Sequence, residues 1–321
     1  MLPTLDEITD AATIIYRAMP PTPQYCWPLL CERLGAEVWV KHENHTPVGA
    51  FKLRGGLVYF ADLARRTGLK GVVTATRGNH GQSVAMAAKR HGLSATVVVP
   101  HGNSLEKNAA MRALGAELVE YGNDFQASRE QAARIAEEHS LHLVPAFHPS
   151  LLRGVATYSM ELLQAVRDLD TVYVPIGLGS GICGLVAARN ALGHRAEIVG
   201  VVSSQARAYA ASFAAKAVVE AEVSTSLADG MACRTPVPEA LEIIWRHVDR
   251  IVEVSDDEIA AAIRVLHECT HNCAEGAGAA GLAAAIKERR AVTGRKVAFV
   301  LSGGNIDRQT FAQVLCETST A

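Results

Sequence analysis

The stretch TVYVPIGLGSG, residues 171–181, decides the fold. Six residues, four of them β-branched, end in a glycine-rich turn, and the following residues 182–194 repeat apolar side chains at three- and four-residue spacing. A buried strand, a tight turn and a crossover helix are expected in succession. Such a unit aims free backbone N–H groups and the positive end of a helix at one point, which makes a cup for an anion such as phosphate.

The same alternation recurs on both sides of that stretch. The runs EVWVK (37–41), GVVTA (71–75), ATVVV (95–99), ELVEY (117–121), EIVGVV (197–202) and KVAFVL (296–301) read as strands, and 79–92, 104–115, 124–140, 255–270 and 276–291 read as helices. Strands alternating with helices predict parallel sheets covered by helices, an α/β fold. No repeat, low-complexity tract or long linker interrupts the chain, so domain boundaries fall in short connections such as 46–49 and 147–150.

Composition narrows the class of partner. The chain has 321 residues, 49% hydrophobic and 20% charged, enough to bury a large core. With 31 Lys plus Arg against 33 Asp plus Glu, its net charge of -2 supplies no field for nucleic acid or an anionic membrane. The start MLPTLDEITDAATII lacks the basic-then-apolar pattern of a leader, and no segment approaches the ~20 apolar residues of a membrane span. A cytoplasmic protein with a small-molecule partner is expected. Seven cysteines, at 26, 31, 183, 233, 269, 273 and 316, contain no CxxC pair, which suits a reducing compartment, and most are expected to be buried apolar fillers.

Four glycine-containing turns follow predicted strands: TPVGAFK (46–52), TRGNHG (76–81), GLGSG (177–181) and SGGN (302–305). In α/β proteins ligands collect at the carboxyl ends of strands, so the four turns frame one candidate site. Gly179, Gly181 and Gly184 also match the dinucleotide fingerprint, but that reading requires an acidic residue closing the next strand, where this chain has Ser203-Ser204-Gln205. The cluster His267, Cys269, His271, Cys273 offers metal-ligand types, yet on one helix the two i, i+4 pairs project from different faces, and no zinc is expected. Lys52 opens an amphipathic run beside Phe51. Partial burial there would lower its pKa and make the amine a nucleophile; read by itself, it is equally a surface lysine at a helix start.

Taken together, AFKLRG (50–55), TRGNHGQ (76–82), the glycine loop 177–181 and LSGGN (301–305) resemble, in order and spacing over nearly the whole chain, the serine/threonine dehydratase branch of the tryptophan-synthase-like pyridoxal-phosphate enzymes, fold type II. The resemblance implies two domains, each an open twisted, mostly parallel sheet flanked by helices. Residues 1–52 plus 149–321 would form a large cofactor-binding domain and 53–148 a small one, with the active site in the cleft between them. It implies that Lys52 carries pyridoxal 5'-phosphate as a Schiff base, Phe51 packs beside the ring and Asn79 bonds the ring hydroxyl. Gly177, Leu178, Gly179, Ser180 and Gly181 would hold the phosphate, Gly230 would lie beside the cofactor, and Ser302 would face the pyridine nitrogen. Glu275 matches an acidic position near the cofactor. The substrate carboxylate would rest against Thr76, Arg77, Gly78 and His80. A homodimer is the implied assembly.

The implied activity is β-elimination on a 3-hydroxy amino acid such as threonine or serine, giving a 2-oxo acid and ammonia, with Lys52 moving the Cα proton. A hydroxyl at Ser302 cannot keep the pyridine fully protonated, which weakens the electron sink and favours prompt elimination over a long-lived carbanion. Two departures from the family pattern refine this. Arg77 stands where racemising relatives have a serine; an always-protonated guanidinium cannot be that acid/base, so it either grips a second carboxylate, as on a 3-hydroxyaspartate-like substrate, or makes a structural ion pair. The acidic ligands of the family's cation site align with Val202 and Ala208, so no metal is expected there, and Arg207 is placed to supply a substitute charge. The absence of an appended regulatory domain after 301–305 suggests a catabolic or specialised role. Alternatives within the fold are β-replacement and threonine-synthase-like chemistry; from another class, a non-catalytic amino-acid or pyridoxal-phosphate binding module.

Overall fold

The computed structural model describes residues 2–66 and 68–317, so the two ends of the expected large domain, Met1 and 318–321, lie outside the described residues. Ten strands among the described residues form two sheets. The larger contains β1 (Gln24–Cys26), β2 (Glu37–His42), β7 (Thr171–Pro175), β8 (Glu197–Ser203), β9 (Arg250–Val254) and β10 (Lys296–Leu301), in the order β1-β2-β10-β7-β8-β9. Only β1 is antiparallel to its neighbour. The smaller sheet contains β3 (Gly71–Ala75), β4 (Ser94–Val99), β5 (Glu117–Glu120) and β6 (His142–Leu143), all parallel, in the order β5-β4-β3-β6.

Side-chain alternation explains why both faces of the larger sheet are covered. Along β10, Ala298 and Val300 point into one core, shared with the helices Pro149–Ala165 and Ser180–Leu192, while Val297, Phe299 and Leu301 point into another, shared with Asp256–Thr270 and Gly276–Lys287. Val172, Tyr173 and Val174 of β7 divide the same way. Each such Val, Leu or Phe side chain removed from water contributes about 1.5–3 kcal/mol, which is why the central strands read as unbroken apolar runs. In the smaller sheet, Val73, Ala75 and Val98 meet the helix Phe125–His139, and Val97 and Val99 meet Ala85 and Met111 on the opposite face.

The α/β architecture of two helix-covered parallel sheets matches the sequence reading. Three strands and several helices were not legible. β6 has two residues, and β1 has three. β9 carries Arg250 and Glu253 on a half-exposed edge, so it lacks the apolar run that marks the interior strands. The helix expected over 276–291 stops at Lys287, and a separate turn, Arg289–Val292, follows. The helix carrying His267 ends at Thr270, as expected, where His271 turns left-handed with φ 53°, so His271 and Cys273 do not share one helix with His267 and Cys269. Of the seven cysteines only Cys183, Cys233 and Cys269 are buried; Cys26 and Cys31 are half-buried, and Cys273 and Cys316 are exposed.

The chain leaves the larger sheet after β2, enters the smaller one through the helix Lys52–Leu63, and returns through Pro149–Ala165, which packs against it. The carboxyl ends of β2, β3, β7 and β10 therefore release their four turns toward one region.

Candidate active site

The turn after β2 is held by Thr46, whose hydroxyl donates to the Ala50 carbonyl at 2.8 Å and accepts the Ala50 N–H at 2.9 Å. Ala50 bridges to Gly303, and the Phe51 N–H donates to the Ser302 carbonyl at 3.0 Å, so the turn is zipped to the end of β10. The helix Lys52–Leu63 starts at once. Its anchor is Arg54, fully buried, which donates to Glu43 at 2.7 Å and to Glu161 at 2.6 Å; Lys41 adds a second cation on Glu161 at 2.6 Å. Two cations against two carboxylates leave this buried cluster neutral, the condition under which such a network is tolerated.

Lys52 is thereby fixed as the first residue of its helix. Its Nζ donates to Ser180 Oγ at 3.1 Å and stands 5.0 Å from the centre of the Phe51 ring. Burial pulls its pKa down to about 8, within reach of a neutral, nucleophilic amine. Phe51 is itself braced edge-on by Tyr158, with centroids 6.0 Å apart.

Ser180 begins the helix that follows β7, so the Lys52 amine adjoins the glycine turn. Gly179 has φ 93°, a left-handed conformation that makes glycine the fitting residue, and the Gly230 carbonyl packs where a Cβ on Gly177 would overlap it. The backbone N–H groups of Leu178, Gly179, Ser180 and Gly181 have no acceptor among the described residues, and Tyr209 holds the Leu178 carbonyl at 3.0 Å. A helix start with open N–H groups and no side chain in the way suits a phosphate.

The turn after β3 has a similar build. The Thr76 hydroxyl accepts the Gly78 N–H at 2.9 Å and the Gly81 N–H at 3.3 Å, while its own N–H is committed to Val98. Thr76 shapes the turn, and the N–H groups of Arg77, Asn79 and His80 are left without an acceptor among the described residues. His80 Nε2 is shielded from solvent with no partner among the described residues, and burial together with Lys52 lowers its pKa to about 3, so the imidazole is neutral. Arg77 is half-buried and makes no ion pair among the described residues.

Asn79, first in the helix Asn79–Arg90, joins a polar chain that links the turn after β3 to the turn after β10. Its Nδ2 donates to Glu275 Oε1 at 2.6 Å, and its Oδ1 accepts Asn305 Nδ2 at 2.8 Å. Glu275 is buried, and burial raises its pKa against the pull of Lys107. Lys107 Nζ lies 2.6 Å from Asp229 and 3.5 Å from Glu275 Oε2, and its methylene stem runs over Gly78. Beyond that ion pair, Glu275 Oε2 has no hydrogen-bond donor among the described residues.

Lys52, Phe51, Ser180, Gly181 and Ser302 are thus linked directly, as are Gly177 and Gly230, and Asn79 joins the same framework through Asn305 and Val48. Sequence reading gave no role to Lys107, Asp229 or Asn305. Asn305 lies within the SGGN motif and Asp229 beside Gly230, so both had a signal; Lys107 lies in a helix, Leu105–Ala113, with no motif of its own. Val202 is buried in β8 and Ala208 opens a helix, while Arg207 pairs with Glu253 at 2.8 Å instead of supplying charge to a site. Among the described residues no three His, Cys, Asp or Glu side chains are grouped to hold an ion.

A family model described as pyridoxal-phosphate dependent enzyme matches residues 15–303. The chain is 36% identical to an L-threonine ammonia-lyase of Thermotoga maritima over 95% of its own length and 76% of the relative's. It is 33% identical to an L-threo-3-hydroxyaspartate ammonia-lyase of Saccharomyces cerevisiae over 98% and 97%. Among solved structures, maize serine racemase superimposes with a TM-score of 0.91 at 28% identity, covering 98% of this chain and 97% of that one.

Proposed function

The chain belongs to the family of pyridoxal-phosphate-dependent enzymes, and from that premise we propose that it is an ammonia-lyase of 3-hydroxy amino acids, releasing a 2-oxo acid and ammonia by β-elimination. The observation that carries the proposal is the Lys52 amine, lowered to about pKa 8 and hydrogen-bonded to the first residue of the helix behind the open glycine turn.

The residues present fit the cofactor. Lys52 would hold it covalently, the N–H groups of Leu178, Gly179, Ser180 and Gly181 would take its phosphate, Phe51 and Gly230 would flank it, Asn79 would meet its hydroxyl, and Ser302 would meet its ring nitrogen. The shielded, unpartnered His80 Nε2 is a feature expected of a pocket that a polar group completes. When bound, pyridoxal phosphate supplies a carbonyl that condenses with amines and a conjugated ring that withdraws electrons from Cα of the attached amino acid.

The rest follows from the chain's own residues. Lys52, once its amine is free, takes the Cα proton, oriented by Ser180 Oγ. The open N–H groups of Arg77, Asn79 and His80 bind the α-carboxylate at a helix start. The β-hydroxyl leaves as water, and hydrolysis of the resulting unsaturated amine consumes one water, so the net products are the 2-oxo acid and ammonia. His80, its pKa held down to about 3, is too weak a base to compete with Lys52 for the proton.

Arg77 favours a substrate with a second carboxylate, as in 3-hydroxyaspartate, since no protein carboxylate neutralises it among the described residues. The cleft of this reading lies between 1–52 plus 149–321 and 53–148, the division that puts each sheet in its own part. A homodimer located in the cytoplasm completes the proposal; no helix among the described residues is long and apolar enough to cross a membrane. An assay for 2-oxo acid and ammonia from threonine, serine and 3-hydroxyaspartate, with no added nucleophile, tests it. Product only when a second nucleophile is supplied would assign the protein to β-replacement instead.

A further inference from the structure

Two cysteines that are five positions apart in sequence meet in space. Cys26 ends the edge strand β1 and Cys31 lies in the helix Pro28–Leu34, and their sulfurs are 3.4 Å apart. Both are half-buried, and the adjoining Tyr25 is exposed, so a small solute reaches the pair from solvent. The other five cysteines offer nothing comparable: Cys183, Cys233 and Cys269 are buried, and exposed Cys273 and Cys316 have no sulfur partner among the described residues.

We infer that Cys26 and Cys31 form an oxidisable dithiol, a modification site outside the cleft that closes reversibly to a disulfide under a peroxide. Only a small approach is needed, from 3.4 Å to the S–S length of about 2.0 Å. Four residues separate the two cysteines, so they stay neighbours through any opening of the cleft.

The environment assigns the order of events. Burial, the Cys31 sulfur and the Glu37 carboxylate push the Cys26 thiol up, which suits Cys26 to the second, resolving step. Cys31 Sγ accepts the Val38 N–H at 3.2 Å, a donor that complements charge on that sulfur. Cys31 as thiolate attacks one peroxide oxygen; an S–O bond forms, the O–O bond breaks, and the departing hydroxide takes a proton and leaves as water. Cys26, losing its proton, attacks the Cys31 sulfur; the S–S bond forms, the S–O bond breaks, and a second water leaves. Two thiols are oxidised and one hydrogen peroxide is reduced to two waters.

The test uses the cofactor-loaded protein, treated with hydrogen peroxide, quenched and digested with trypsin without reductant. Residues 18–33 form one tryptic peptide that contains Cys26, Cys31 and no third cysteine. The expected result is a peptide lighter by two hydrogen atoms, restored by dithiothreitol. Cys31→Ser should abolish the change, and Cys26→Ser should leave Cys31 as a sulfenic acid captured by dimedone; both side chains are half-buried, and a thermal melt confirms that each variant folds. The inference is overturned if peptide 18–33 keeps its mass or only gains oxygen while Cys273 and Cys316 oxidise, or if either cysteine is found linked to another chain.

Discussion

Asn305 Nδ2 lies 2.8 Å from Asn79 Oδ1 and 2.8 Å from the Val48 carbonyl. A carbonyl only accepts, so Val48 fixes which end of the Asn305 amide is the donor, and Asn305 in turn makes Asn79 present its N–H groups toward Glu275. Asn305→Asp keeps the shape but accepts only. We expect it to weaken pyridoxal-phosphate binding by about tenfold, about 1.4 kcal/mol, measured by titrating the cofactor-free protein. An unchanged dissociation constant would show that Asn79 needs no such orientation.

Lys107 is the cation on which Asp229 and Glu275 converge. Lys107→Met leaves both carboxylates without it, at a cost of about 2–3 kcal/mol, since Asp229 is partly open to solvent. The melting temperature should fall, and Lys107→Met with Glu275→Gln should recover part of the loss. Strict additivity of the two single changes would mean the pair is uncoupled.

Substrate choice rests on Arg77. Arg77→Ala should raise KM for 3-hydroxyaspartate at least tenfold more than for serine or threonine, since only the dicarboxylate loses a charge-assisted contact. Equal effects on all three would refute the second-carboxylate reading.

Lys52 gives the pH dependence. Burial lowers its pKa from 10.5 to about 8, so the rate of cofactor loading should rise with a midpoint near pH 8 and level off above it. Between those two values the unfolded chain binds a proton that the folded chain does not, so this amine's contribution to the stability of the cofactor-free protein increases as pH rises from 8 to 10.5. Stopped-flow absorbance checks the midpoint; a value near 10.5 would place the amine in bulk-like solvent.

Much of this was legible in sequence because it is local. The interior strands are apolar on both faces, and the turns at 46–52, 76–81, 177–181 and 302–305 carry their chemistry within a few residues. What was not legible depends on distant parts of the chain. Lys107 reaches Asp229 across 122 positions of sequence, and Arg54 finds Glu161 across 107. Nor does an isolated pattern say that a cysteine five residues from another will face it, since that depends on how β1 meets the next helix.

The most direct test of the central claim is borohydride reduction of the cofactor-loaded protein followed by peptide mapping. The account predicts one irreversibly attached pyridoxyl group, on Lys52, and none in Lys52→Ala. A label on another lysine, or no label on protein that still forms 2-oxo acid, would contradict it.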